Sequence, residues 1–374
     1  MKEFRIAWLE VYLGNCVHNL NEVKKRIQEK TKICAIVKAD GYKLGAAEVS
    51  KTYIKNGVDM LAVAILDEAM DLRNKIKDFP ILVLGHTPED YFEKALKKDI
   101  TLTFYNESRI ELLNEKAKKL GKKAKIHIKI ETGMNRLGFT PNEKSISKIK
   151  KIYNMDYIEI EGIFSHLARA DEQDKTFAYK QKKRFDKVLK RLEEENVNIP
   201  IKHLANSAAI IDLPEFQYNM VRPGIILTGL YPSNKVEKDN VNLRLAFNLK
   251  AKITNVREIN PGEGVSYGHT FIAKNKTKVA TIPIGYADGL PRLLSNKLCM
   301  SYKGKKCKII GNICMDQCMI NVTGVEDVKI GDEVIVYGDG SSNTTTPDEA
   351  AAMVSTINYE ILTMLDRRLP RINK

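Results

Sequence analysis

The residue with the clearest chemical setting is a lysine. Ile33-Cys34-Ala35-Ile36-Val37 is an unbroken apolar run of strand length, and Lys38 ends it. An ammonium at the inner end of a buried strand is costly unless it is paired or chemically used. Partial desolvation favours the neutral amine, which is both a nucleophile and a base. Asp40-Gly41-Tyr42 is turn-forming and Gly45-Ala46-Ala47 can open a helix. Lys38 thus stands where a parallel strand feeds its βα loop, the face on which α/β barrels carry chemistry. A strand-end lysine can also simply snorkel to solvent. Asn206-Ser207-Ala208-Ala209 puts a serine at an expected helix start, a natural anion site, although the same serine would serve as a plain N-cap. Gly224-Ile225 offers further backbone N–H groups in a turn, and no Gly-rich phosphate loop is present. Cys314 and Cys318 lack paired histidines or a second cysteine pair, and the six histidines show no ligand spacing, so no metal site is expected.

The elements that must position these groups alternate. Strand-like runs fall near residues 33–37, 60–64, 80–84, 101–104, 125–130, 157–164, 200–204 and 219–221. Helical patterns lie between them, for example at 88–98, 106–120 and 176–195, after an amphipathic helix at Asn15–Glu29. Eight strands with helical crossovers predict a (β/α)8 barrel. Near 230–242 the texture changes: Pro232-Ser233-Asn234 and a charged stretch mark a boundary. Beyond it come short β-type runs, Leu249–Ile259, Lys278–Ile282, Cys307–Ile310 and Glu333–Tyr337. Thr346-Pro347-Asp348-Glu349 is a capping box with proline at the first helical position. An early strand is expected over 5–12. The fold class is therefore α/β, a TIM barrel followed by a mostly β C-terminal domain.

The 374 residues, 43% of them hydrophobic, suffice for a sizeable core and two domains. No apolar run approaches the ~18 residues that span a bilayer, and Met1–Arg5 leads into no signal-peptide pattern, so a cytoplasmic protein without a membrane partner is expected. Scattered cysteines fit reduced thiols. The net charge of +14 raises nucleic acid, but the lysines are mixed with glutamates, as in Lys180–Glu195, and no nucleic-acid motif accompanies them. No nucleic-acid partner is expected.

The Lys38 stretch resembles the lysine signature of alanine racemases, enzymes dependent on pyridoxal 5'-phosphate (PLP). The resemblance recurs in family order at Lys129–Phe139, Gly162–Asp171, His203–Ser207, Val221–Gly229, Gly264–Phe271, Ile284–Arg292, Gly311–Gln317 and Ile357–Glu360. It implies a barrel over 12–240 and a β domain over 241–374 that includes strand 1–11. It implies that Lys38 holds PLP as a Schiff base and acts as base on one face of the substrate Cα. Tyr267, in Gly264-Val265-Ser266-Tyr267-Gly268, would be the acid on the other face. Arg222 would donate to the pyridine nitrogen, and His166 would pack on the ring and link to Arg222. Tyr42, Asn206, Ser207, Gly224, Ile225 and Tyr359 would surround the phosphate. Arg136 and Met315 would meet the substrate carboxylate, Tyr286 would narrow the entrance, and Lys129 matches a lysine often carbamylated to hold that arginine. Tyr267, Tyr286 and Met315 would come from the other subunit of a head-to-tail homodimer. Taken singly, Tyr267 is equally an aromatic at a turn and His166 a satisfied core histidine.

Four positions depart from the family pattern: Lys43-Leu44 follow Tyr42, Glu131 replaces an aspartate, Thr228 a tyrosine and Asn312 an arginine. The expected activity is interconversion of L- and D-alanine, supplying D-alanine for peptidoglycan. The alternative is a racemase of serine or another amino acid on the same scaffold. A fold-related decarboxylase is disfavoured by its missing glycine loop. A non-catalytic PLP-binding regulator is disfavoured by the β domain that carries Tyr267.

Overall fold

The computed structural model describes residues 5–374, so the part of the expected N-terminal strand over 1–4 lies outside the described residues. Eight parallel strands, Lys32–Ile36, Met60–Val63, Ile81–Val83, Thr101–Phe104, Ala124–Lys129, Ile158–Phe164, Ile201–His203 and Met220–Val221, form a closed barrel. Closure is made by pairing Lys32 with Met220 and Ile33 with Val221. These strands are rich in Ile, Val and Leu because both faces are covered, by the barrel interior and by the helices outside. Helix Thr176–Glu194 shows how the outer layer attaches: Ala178, Gln181, Phe185, Val188 and Leu192 are buried at helical spacing, and its lysines face out. One irregularity interrupts the barrel. Ile126 pairs with Ile160, but His127 pairs with Gly162, so Glu161 is an extra residue in its strand.

The β part contains a six-stranded sheet in the order Lys305–Lys308, Cys299–Tyr302, Glu333–Tyr337, Phe247–Lys252, Ala7–Val11, Arg371–Asn373. Asn255–Ile259, Thr277–Ile282 and Cys318–Asn321 form a second sheet. The single run read at Leu249–Ile259 is therefore two strands in different sheets. The break has a clear origin: the N–H of Ile253 donates to Asp332 and the next N–H, of Thr254, to Thr281. Helix Pro347–Met353 opens on the anticipated capping box, with Thr346 and Glu349 satisfying each other's backbone N–H groups.

The chain divides into two compact units. One holds the N-terminal segment through Asn15, Tyr42–Gly45 and Arg244–Lys374; the other holds Cys16–Gly41 and Ala46–Leu243. Among the described residues, no helix is long and apolar enough to cross a membrane.

Candidate active site

Lys38 follows the first barrel strand, as anticipated, and the chain beyond it is unusual. Ala39, Asp40, Gly41, Tyr42 and Lys43 all have positive φ, between 52° and 68°. A left-handed turn costs roughly 1–2 kcal/mol per non-glycine residue, so the surroundings must hold it. Two carboxylates do so. Glu68 accepts from the N–H of Ala39 at 2.6 Å and of Ala64 at 2.8 Å, and Asp40 accepts from the N–H of Ala46 at 3.0 Å. The Lys38 side chain makes no hydrogen bond or ion pair among the described residues, and the residue as a whole is exposed. Partial burial, then the charge of Arg136, lowers its amine.

Lys129 ends the strand Ala124–Lys129 and is buried, 5% exposed. Burial, then Arg136 and Arg222, lowers it to about 8. Arg136 lies in the following loop, and that loop is closed by Glu131. The Glu131 carboxylate accepts from the N–H of Gly133 at 2.5 Å and of Arg136 at 3.1 Å. Burial alone would raise this carboxyl, but the loop amides outweigh it and hold it below its ordinary value. Glu131, the replacement for an aspartate, is thus the internal anchor of the loop that carries Arg136.

Arg222 is 3% exposed and has no carboxylate within ion-pair distance among the described residues. Its guanidinium donates to the carbonyls of Ser165 at 2.7 Å, His203 at 2.9 Å and Leu204 at 3.1 Å. It also reaches Nδ1 of His166 and Nδ1 of His203, each at 3.2 Å. Since a guanidinium only donates, both imidazoles accept there and are neutral with the proton on Nε2. Burial, then the Arg222 charge, pushes His166 well below its ordinary range. The Phe164 ring lies under two cations, Lys129 Nζ at 5.5 Å and Arg222 Cζ at 5.4 Å from its centroid. It shields them from water while its face offers weak electrostatic compensation.

Asn206, not Ser207, caps helix Ser207–Asp212, its side chain accepting from Ala209 N–H at 3.1 Å. The Ser207 hydroxyl accepts instead from the N–H of Gly224 at 2.9 Å. Ile225 opens the short turn Ile225–Thr228, whose first N–H groups lack partners within it. Thr228, the replacement for a tyrosine, uses its hydroxyl to bond the Ile225 carbonyl at 2.7 Å.

In the β unit the remaining candidates form one loop cluster. Tyr286 donates its N–H to the Cys314 carbonyl, and Ala287 to the Met315 carbonyl, at 3.1 and 3.0 Å. Tyr267 follows Ser266, which has φ 64° and ψ −174°, a conformation otherwise almost confined to glycine. Tyr267, Met315 and Tyr286 are 75%, 53% and 44% exposed in the single chain. Tyr42 is buried in the left-handed turn, and Tyr359 is half-buried on helix Asn358–Thr363.

Several working residues escaped the sequence reading. Glu68 looked like any acid in a first helical turn, His127 like a strand residue, and Glu161 like a solvated charge. Only the bulge and the tertiary contacts give them roles.

With this geometry in view, the likeness to known proteins is specific. Residues 11–232 match the family described as alanine racemase, N-terminal domain, and residues 246–373 the alanine racemase, C-terminal domain. The chain is 46% identical over 370 residues to alanine racemase 2 of Caldanaerobacter subterraneus subsp. tengcongensis, covering 99% of this chain and 95% of that protein. It is 46% identical over 365 residues to the alanine racemase of Methanococcus maripaludis, covering 98% of each. The solved alanine racemase of Clostridium difficile 630 superposes with a TM-score of 0.96 at 44% identity, covering 99% of this chain and 96% of that one.

Proposed function

The chain belongs to the alanine racemase family of amino-acid isomerases, and from that premise we propose that it interconverts L- and D-alanine with PLP held at Lys38. The observation that carries this reading is the surplus of positive charge at one set of barrel ends. Lys38, Lys129, Arg136 and Arg222 lie close enough to depress one another's amines or those of their neighbours. None has a carboxylate ion-pair partner among the described residues. Such a donor set fits an anionic aldehyde carrying a phosphate, together with a substrate carboxylate.

When bound, PLP supplies an electron-withdrawing ring that acidifies the Cα–H of an attached amino acid. Lys38 would hold it covalently and would supply an amine base on one face of the substrate Cα. The lowered Lys38 amine serves both roles. Asn206, Ser207, Gly224 and Ile225 would hold the phosphate through hydroxyls and backbone N–H groups, and Tyr42 and Tyr359 are proposed for the same role. Arg222 keeps its own proton, being lowered only to about 10. An acceptor on the cofactor set against it would be left without a proton donated to it, which would limit charge delocalisation and favour direct proton exchange over decarboxylation or transamination. His166, a neutral imidazole, would pack on the cofactor ring without adding charge. Arg136 and the Met315 N–H would orient the substrate carboxylate, and a carbamate on Lys129 would give Arg136 an anionic partner.

Tyr267 delivers or removes the proton on the opposite face. We place it there from a second copy of the chain: the exposure of Tyr267, Tyr286 and Met315 supports a head-to-tail homodimer in which each copy completes the other's site. The product D-alanine would serve peptidoglycan synthesis in the cytoplasm. A racemase of serine or another amino acid on this scaffold is not favoured, since the relatives that match along the whole chain are alanine racemases.

The test is Cα–H exchange in D2O followed by NMR, with PLP-loaded protein and separate L- and D-forms of alanine, serine and lysine. Fast exchange with loss of chirality for alanine is expected. Preference for serine would change the substrate, and no exchange for any amino acid would overturn the assignment.

A further inference from the structure

Arg222 has a distant counter-charge. Its Nη1 approaches Nδ1 of His203 at 3.2 Å, Nε2 of His203 approaches Nδ1 of His127 at 2.8 Å, and Nε2 of His127 approaches the Glu161 carboxylate at 3.3 Å. The proton positions follow from one fact, that a guanidinium cannot accept. His203 must accept at Nδ1 and so carries its proton on Nε2. His127 must then accept at Nδ1 and donates from Nε2 to Glu161. Every bond points the same way, from the arginine to the carboxylate, and both imidazoles are neutral and fully buried. Glu161 sits at the other end of the run, where Thr101 donates to it at 3.4 Å and Lys125, largely exposed, lies at 3.5 Å.

The backbone is shaped around this chain of groups. The bulge that inserts Glu161 into its strand re-aims that side chain. The next residue is Gly162, where a Cβ would stand 2.5 Å from His127 Cε1, so any side chain would drive the ring out. Phe164 stacks on His203 with ring centroids 4.7 Å apart. A bulge, a glycine and a stacked ring converge on two histidines that packing alone does not require.

We propose that Arg222, His203, His127 and Glu161 form a directional relay in which Glu161 supplies, through two tautomer-locked imidazoles, the counter-charge that orients Arg222 toward the reacting end of the barrel. Glu161, His127 and His203 are positioning residues. The relay rests on the reading that Arg222 faces the cofactor, and it accounts for how a buried arginine remains charged with no carboxylate beside it.

The experiment is 15N-imidazole NMR on the cofactor-free and the PLP-loaded protein, with His127 and His203 identified through H127Q and H203Q. Both should show a single, exchange-protected proton on Nε2. In E161Q, which keeps the acceptor and the shape but removes the charge, kcat for alanine should fall about tenfold with KM within about twofold. The visible band of the bound cofactor should also move. E161D, which keeps the charge, should restore the band and most of kcat, and so separates charge from packing should E161Q fold poorly. A proton on Nδ1 of either histidine, or an E161Q protein with the parent's band and kcat, overturns the relay. The expected tautomers in a protein that forms no visible band with PLP would instead remove the cofactor assignment while supporting the relay.

Discussion

Asn312 and Tyr267 brace each other. The Asn312 side-chain amide donates to the Tyr267 carbonyl at 2.7 Å, and Ser266, immediately before Tyr267, donates its hydroxyl to the Asn312 carbonyl at 2.6 Å. Asn312 stands where the family commonly has arginine, so the departure has a structural counterpart: a short amide fixes the loop that presents the proposed acid. The two bonds also hold Ser266 in its glycine-like backbone conformation.

Replacing Asn312 should therefore disturb Tyr267 without touching the barrel. N312A loses one exposed hydrogen bond worth about 0.5 kcal/mol, and kcat for alanine should fall about two- to threefold. PLP affinity, read from the visible band on titration, should not change. A kcat equal to the parent's would mean the brace has no catalytic consequence.

Lys38 has no hydrogen bond or ion pair to lose, so K38A should change unfolding free energy by no more than about 0.5 kcal/mol. Its activity should fall about a thousandfold or more, because both the attachment point and one base are removed. Borohydride reduction followed by mass spectrometry should find PLP fixed to the parent and to no residue of K38A. Fixation elsewhere would reassign the attachment point.

Much of this was legible in the chain, and the limits have physical causes. The eight barrel strands are apolar because they are buried on both faces, so their runs stand out between helical patterns. The Thr346–Glu349 capping box is a local contact and was equally plain. The split between Phe247–Lys252 and Asn255–Ile259 was not, because consecutive β-type residues look alike whichever sheet their N–H groups enter. The left-handed turn after Lys38 was hidden as well. Ala39, Tyr42 and Lys43 do not favour positive φ, and the carboxylate that holds Ala39 comes from Glu68, a helix away. Asn206 and Ser207 are adjacent, and only the contact with Gly224 decides which one caps and which one reaches across.

Glu131 gives a prediction about the substrate-binding loop. Its carboxyl is held below 4.5, so the stability it contributes is present above that pH and is lost as pH falls through the lower folded-state value. E131A frees the amides of Gly133 and Arg136 and should cost about 1–2 kcal/mol. With Arg136 no longer held, KM for alanine should rise severalfold more than kcat falls. Urea denaturation and steady-state kinetics check the two effects separately, and a lower kcat at unchanged KM would take Arg136 out of carboxylate binding.

Lys129 gives one of the same sign in a higher pH window. Folding lowers its amine from 10.5 to about 8. Below that value the fold carries a buried ammonium; across the window from about 8 to 10.5 the unfolded chain binds a proton that the folded chain has released, so stability rises with pH by about 3 kcal/mol at most. Urea midpoints in CO2-free buffer should therefore rise between pH 7.5 and 9.5 more in the parent than in K129M. The neutral amine is also the form that takes up CO2. With 13C-bicarbonate a carbamate resonance should appear in the parent and be missing from K129M. A parent spectrum without it would leave Arg136 to be oriented by Glu131 alone.

The sharpest prediction concerns Tyr267. Tyr267 is 75% exposed in the single chain, so Y267F should leave the unfolding free energy of the chain within about 0.5 kcal/mol of the parent. The variant also keeps the Asn312 brace, which binds the Tyr267 carbonyl and not its phenol. What is lost is one O–H. If Lys38 and Tyr267 serve opposite faces of Cα, racemisation should fall about a thousandfold or more, while Cα–H exchange in D2O persists for one alanine enantiomer and collapses for the other. Equal loss for both enantiomers would point to a defect in binding, and unchanged exchange for both would remove Tyr267 from the chemistry. The asymmetry is the signature of two bases, because a single base reaching both faces would lose or keep both exchanges together.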